Sequence, residues 1–182
     1  LNEGVRARVR KERPATEKYP LLIKDYETPK GTLSKVVRQS DDWPHGDDIP
    51  LFDDYGVSSA RSVKDWVEND EDLEALSCLF REPTESEVDA YRERADEVRK
   101  FAEENGVVVM CSEVTNLGGA AMWLCGFMNT LSLAAKRPDF LHRLLDTIHG
   151  WDMMKARLML EIGNVDVIVH YGWYDSTDFL SV

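Results

Sequence analysis

Two short apolar runs set either side of a long helix-forming stretch constrain this chain more than any other feature. The first run is Val107-Val108-Val109-Met110 and the second is Val165-Asp166-Val167-Ile168-Val169. Each opens into a loop that is dense in functional groups. After the first comes Glu113-Val114-Thr115-Asn116-Leu117-Gly118-Gly119, and after the second comes His170 through Phe179. Strand, helix and strand in series imply a right-handed crossover between parallel strands. In parallel α/β folds the chemistry sits just past the carboxyl ends of the strands, which is where both loops fall. The expected fold class is therefore α/β.

Length and charge narrow the classes further. A chain of 182 residues is long enough for one domain with a sizeable core, and a single domain over 1–182 is expected. No apolar run approaches the roughly 20 residues that a membrane helix requires, and no signal-peptide pattern is present, so the expected location is the cytoplasm without a membrane partner. The net charge of −12 argues against a nucleic-acid surface, which needs clustered cations. A local exception is the basic run Arg6, Arg8, Arg10, Lys11 and Arg13, read as the solvated face of a helix that ends at Pro14. The three cysteines, Cys78, Cys111 and Cys125, are too few and too irregularly spaced for a disulfide framework. No C-x-x-C or H-x-C pair exists, so no metal site made from this chain alone is expected.

The amino-terminal part, 1–80, reads as helix, hairpin and loop. Leu21-Leu22-Ile23 and Thr32 to Val37 flank a Thr28-Pro29-Lys30-Gly31 turn, which predicts an antiparallel hairpin. Asp41 to Ser59 reads as a long surface loop anchored by Trp43, Phe52 and Tyr55. A short returning strand is expected over Arg61 to Val67. Asn69 then caps a helix running to Phe80, with Asp70, Glu71 and Asp72 in its first turn.

The part from 81 to 182 reads as βα units. Thr84 and Glu87 form a capping box, and Gly106 ends that helix. Val88, Tyr91, Ala95, Val98 and Ala102 recur along it at helical spacing, so this face is expected to pack on the sheet. Pro138 stands at a natural first helical position. Leu141, Leu144, Leu145 and Ile148 form the apolar stripe of the helix that follows, with Gly163 its expected stop.

Two constellations carry chemistry. In the first loop, Glu113 and Asn116 offer a carboxylate and an amide. Gly118 and Gly119 would let backbone amides approach a ligand ahead of a helix N-terminus; the plain alternative is a tight β-to-α turn. The second loop holds an imidazole, two phenols, an indole and carboxylates within nine residues, His170 to Asp178. Such a run suits a pocket wall, where aromatics give apolar surface and carboxylates orient groups or move protons. The alternative is that Trp173 and Phe179 close the core while the polar groups face water. His45, His142 and His149 are read as surface or helix-face residues.

Glu113 to Phe127 followed by Lys136-Arg137-Pro138-Asp139-Phe140-Leu141-His142-Arg143-Leu144-Leu145 resembles the uroporphyrinogen decarboxylase superfamily. Trp173-Tyr174-Asp175-Ser176-Thr177-Asp178-Phe179 and the stretch Thr28 to Leu79 resemble a decarboxylase-like or methyltransferase-like subgroup of it. The resemblance covers most of the chain and implies a (β/α)₈ TIM barrel, here with an inserted β-hairpin near the amino end. The chain starts in mid-pattern and stops a few residues past a strand, so it is expected to be a middle portion of such a barrel.

Two chemistries occur in the superfamily: cofactor-free decarboxylation of a porphyrinogen in heme biosynthesis, and zinc-assisted methyl transfer between a corrinoid and a thiol. The decarboxylases carry a tyrosine about eight residues after the loop glycine, where this chain has Phe127. Their arginine-rich substrate motif would lie upstream of the residues present. Loss of the tyrosine tilts the expectation to methyl transfer, with His170, Tyr174 and Asp175 catalytic. Glu113, Asn116, Gly118, Gly119, Phe127 and Trp173 are then expected to line the substrate site. Zinc and a corrinoid are the cofactors the resemblance implies, with zinc ligands beyond Val182. A small-molecule substrate, a corrinoid protein and a homodimeric mate are the partners considered. The alternatives are a porphyrinogen decarboxylase and a non-catalytic small-ligand binding barrel.

Overall fold

A computed structural model describes residues 2–51, 61–111, 117–162 and 165–169. The amino-terminal half forms a four-stranded antiparallel sheet of β1 (Arg6–Glu12), β2 (Leu21–Thr28), β3 (Gly31–Arg38) and β4 (Ser62–Lys64), paired in that order. The β2–β3 hairpin forms as expected, with Thr28 opposite Gly31. The Thr28 hydroxyl accepts from the Lys30 amide and donates to the Gly31 carbonyl, which closes the turn. Gly31 sits at φ +133°, a conformation open to glycine at little cost.

Alternation decides which face of the sheet is covered. Leu22, Lys24 and Tyr26 of β2 and Leu33, Lys35 and Val37 of β3 are all buried. On this face sit α1 (Asp70–Ser77), against β3, and α3 (Leu117–Cys125), which reaches Lys35 at Trp123; α5 (Pro138–Ile162) packs behind them on α1 and α3, and Leu76, Trp123, Leu144 and Ile148 share one core. The Val67 amide donates to the Leu124 carbonyl at 2.9 Å, tying the end of the sheet region to α3. Between α3 and α4 (Phe127–Lys136) the chain bends by 103° at Gly126. Among the described residues no single helix is long and apolar enough to cross a membrane. The α3–α4 pair has the composition only when taken together, and Ala120 to Cys125 are buried in the protein core.

Several local readings hold. Asn69 caps α1 by accepting from the Asp72 amide. The Thr84–Glu87 capping box opens α2 (Glu85–Asn105), and Gly106 closes it in the left-handed conformation at φ +64°. Pro138 begins α5, and β4 is the short returning strand. Helix α1 ends at Ser77 rather than Phe80, and Trp43 is buried as an anchor. Gly163, Phe52 and Tyr55 lie outside the described residues.

Two expectations are corrected. The basic run at the amino end is strand β1, not a helix. Val5, Ala7 and Val9 alternate with cations at a period of two, and an unbroken register from Arg6↔Glu27 to Glu12↔Leu21 supplies every backbone pairing with β2. The apolar stripe of α2 is covered only where it is small. Ala95 and Ala102 are buried, whereas Tyr91 and Val98 are exposed and Phe101 is 62% exposed. Charged residues fill most of the remaining positions of this helix.

Candidate functional site

The site predicted from sequence depends on two strands, and they pair in parallel. β5 (Met110–Cys111) lies beside β6 (Val167–Ile168), with Met110 opposite Val167 and Cys111 opposite Ile168. The strands are two residues each, far shorter than the apolar runs that announced them. A side-chain clasp compensates just before them. Asp166 accepts from the Val109 amide at 2.8 Å and from Arg99 of α2 through both carboxylate oxygens at 3.0 Å. These contacts, the Val109 amide first and then Arg99, hold the Asp166 carboxyl below the usual carboxylate range. The Val169 amide donates to the Cys111 carbonyl at 2.8 Å, extending the pairing past β6.

Glu113 and Asn116 follow β5 in sequence, and His170, Trp173, Tyr174 and Asp175 follow β6. All six lie outside the described residues. Gly118 and Gly119 belong to the first turn of α3 rather than to a loop ahead of it, which corrects that boundary. The buried apolar run Ala120 to Cys125 draws the helix start back over them. Phe127 is the half-buried first residue of α4 and presents no hydroxyl. His142 and His149 are exposed on α5, as expected. His45 is half-buried and packs edge-on against Trp43 at 4.9 Å.

A groove of about 560 Å³ runs beside this region, walled by Val88 and Tyr91 of α2 and by Trp151, Met154 and Lys155 of α5. Met159 of α5 forms its far wall and accepts from the Cys111 thiol at 3.2 Å, so the groove backs directly onto β5. Trp151 is stacked on Phe80 at 5.2 Å, and Lys155 lies 3.8 Å from the Trp151 ring centroid while paired at 3.0 Å with buried Asp152. Arg81 holds Glu87 through both oxygens at 2.6 Å. The Arg81 guanidinium, followed by the Thr84 amide and hydroxyl, lowers the Glu87 carboxyl to about 2. The cations at this groove therefore face carboxylates of the chain itself.

Sequence reasoning missed the polar centre of the core. Lys35 is fully buried; it donates to the Trp123 carbonyl at 2.8 Å, pairs with Asp65 at 3.1 Å and lies 3.7 Å from the Trp123 ring centroid. Asp65 also accepts from Ser62 at 2.5 Å. A Cβ at Gly126 would stand 2.2 Å from an Asp65 oxygen, so the α3–α4 corner rests on this carboxylate through the one residue that leaves room. Burial, with Asp65 adding to it, pushes the Cys125 thiol up to about 12, which leaves it protonated and unreactive. Alternation was the available signal: Lys35 sits between Leu33 and Val37 on the inward face. Among the described residues no group of three or more His, Cys, Asp and Glu could hold a metal ion. No protein-family model, curated protein or solved structure matches the chain.

Proposed function

We propose that this chain is part of a (β/α)₈ barrel enzyme of the uroporphyrinogen decarboxylase superfamily, methyltransferase-like in its chemistry. The observation that carries this reading is the parallel pairing of β5 with β6. Neighbouring strands of a sheet lie about 4.8 Å apart, so side chains just beyond their carboxyl ends are within reach of one small ligand. Glu113 and Asn116 then orient the substrate from one strand end. His170, Tyr174 and Asp175 handle protons from the other, with Trp173 as an apolar wall. Phe127, in place of a phenol, weighs against porphyrinogen decarboxylation. The described residues offer no ligand set for zinc, so no step is assigned to that ion.

The test is turnover in the full gene product, measured as demethylation of methylcobalamin by a small thiol. His170→Ala and Asp175→Ala should each lower it by about a hundredfold, the usual range for a lost proton-transfer group, with the thermal midpoint unchanged. Release of carbon dioxide from uroporphyrinogen instead would assign the decarboxylase chemistry. Unfolding of both variants without a specific loss of turnover would make the aromatic–acidic loop structural and defeat the proposal.

A further inference from the structure

Strand β1 is the edge of the four-stranded sheet and pairs only with β2, so its outer row of amides and carbonyls has no strand partner among the described residues. All seven of its residues are exposed, on both faces. No proline and no bulge interrupts it, and its register with β2 is continuous. It is thus a straight, accessible template for an added strand.

Its charge is the reverse of the molecule's. Residues 5–13 hold five cations against Glu12 alone, a net +4 in a chain whose total is −12. Alternation sets Arg6, Arg8 and Arg10 on one face of the sheet and Ala7, Val9 and Lys11 on the other. Arg10 is engaged with Asp25 and Glu12, and Lys11 with Asp47. The side chains of Arg6 and Arg8 stand across the register from Glu27 and Asp25 but form neither an ion pair nor a hydrogen bond among the described residues. Cations along an edge repel the same edge of a second copy, which blocks self-pairing while leaving the template open to an acidic strand. A polyanion such as DNA meets the repulsion of the rest of the molecule over a Debye length, whereas a short peptide senses mainly the local face.

We infer that β1 docks an extended acidic segment of a partner protein by strand addition, with carboxylates at every second position beside Arg6 and Arg8 and small apolar residues between them. The probe is a seven-residue fluorescein-labelled peptide of alternating Glu and Val, matched to the seven residues of β1, followed by fluorescence anisotropy. Two comparisons separate strand addition from charge attraction: the same peptide with alternate amides N-methylated, and a short DNA duplex. The Glu/Val peptide should bind saturably. The double variant Arg6→Glu/Arg8→Glu should weaken it on the order of tenfold, as exposed charge pairs are lost and like charges take their place. N-methylation should weaken it similarly by removing donors to the edge. Absence of binding, equal binding of the N-methylated and unmodified peptides, unaltered affinity in the double variant, or tighter binding of the duplex would each overturn the inference.

Discussion

The β2–β3 hairpin and the β5–β6 pair both start from apolar runs, yet one yields eight-residue strands in unbroken register and the other strands of two residues. The hairpin closes its loop over Pro29 and Lys30, so little chain entropy opposes pairing. Helices then cover its inner face. The parallel pair must be joined across more than fifty residues of helix and loop, and among the described residues its Cys111 side meets a helix at Met159. Its other side stays open, with Met110 58% and Val167 45% exposed. Apolar content starts a strand, but closeness in sequence and a helical cover along one whole face decide how far it runs.

The largest expected effect lies on the antiparallel side. Trp123→Ala removes a buried ring that also supports Lys35, and should cost about 3–5 kcal/mol, the range for large aromatics lost from cores, read as a lowered urea midpoint in a single transition. A change confined to α3 with the sheet unaffected would break the contrast, because it would mean the sheet does not depend on its helical cover. A smaller and local effect is expected at the parallel pair. Asp166→Ala should speed amide exchange at Val109 and Val169 by on the order of tenfold while β2 and β3 amides keep their rates. Equal acceleration in both sheets would show that they open as one unit. The smallest effect concerns pH. Glu87 has its folded carboxyl lowered from 4.5 to about 2. Its contribution is therefore present above pH 4.5 and fades as pH falls towards 2. Circular dichroism and exchange over that window should show fraying limited to the first turn of α2, and fraying near neutral pH would contradict the Arg81–Glu87 geometry.

What was legible in the sequence was local. Thr28 to Gly31, Asn69, the Thr84–Glu87 box, Gly106 and Pro138 each act within a few residues, and each does what its chemistry predicts. What was not legible depends on distant partners. Arg6 to Arg13 carries charge that suits a solvated helix, and only the β2 edge makes it a strand. Tyr91 and Val98 have the right spacing for a buried stripe, yet they stay exposed because burial depends on what the rest of the fold sets against them. Alternation puts Lys35 on the inward face, but its charge argues for water until Asp65 and the Trp123 carbonyl are placed around it. Of the candidate site, the parallel strand pair was anticipated from its apolar runs. Gly118 and Gly119 moved into α3 because the following apolar run extends the helix backwards.

The Lys35 contacts also bear on the order in which the chain assembles. Its carboxylate partner lies 30 residues downstream and its carbonyl partner 88. During synthesis the hairpin is complete long before α3 exists, and an ammonium cannot leave water without both partners in place. Dehydration of this lysine is therefore a late event, gated by arrival of the α3–α4 corner. Until then the inner face of the sheet lacks its α3 cover and the ammonium keeps its water. The same cation that fixes the finished interior thus sets a delay during which an unfinished copy is most exposed to misassembly.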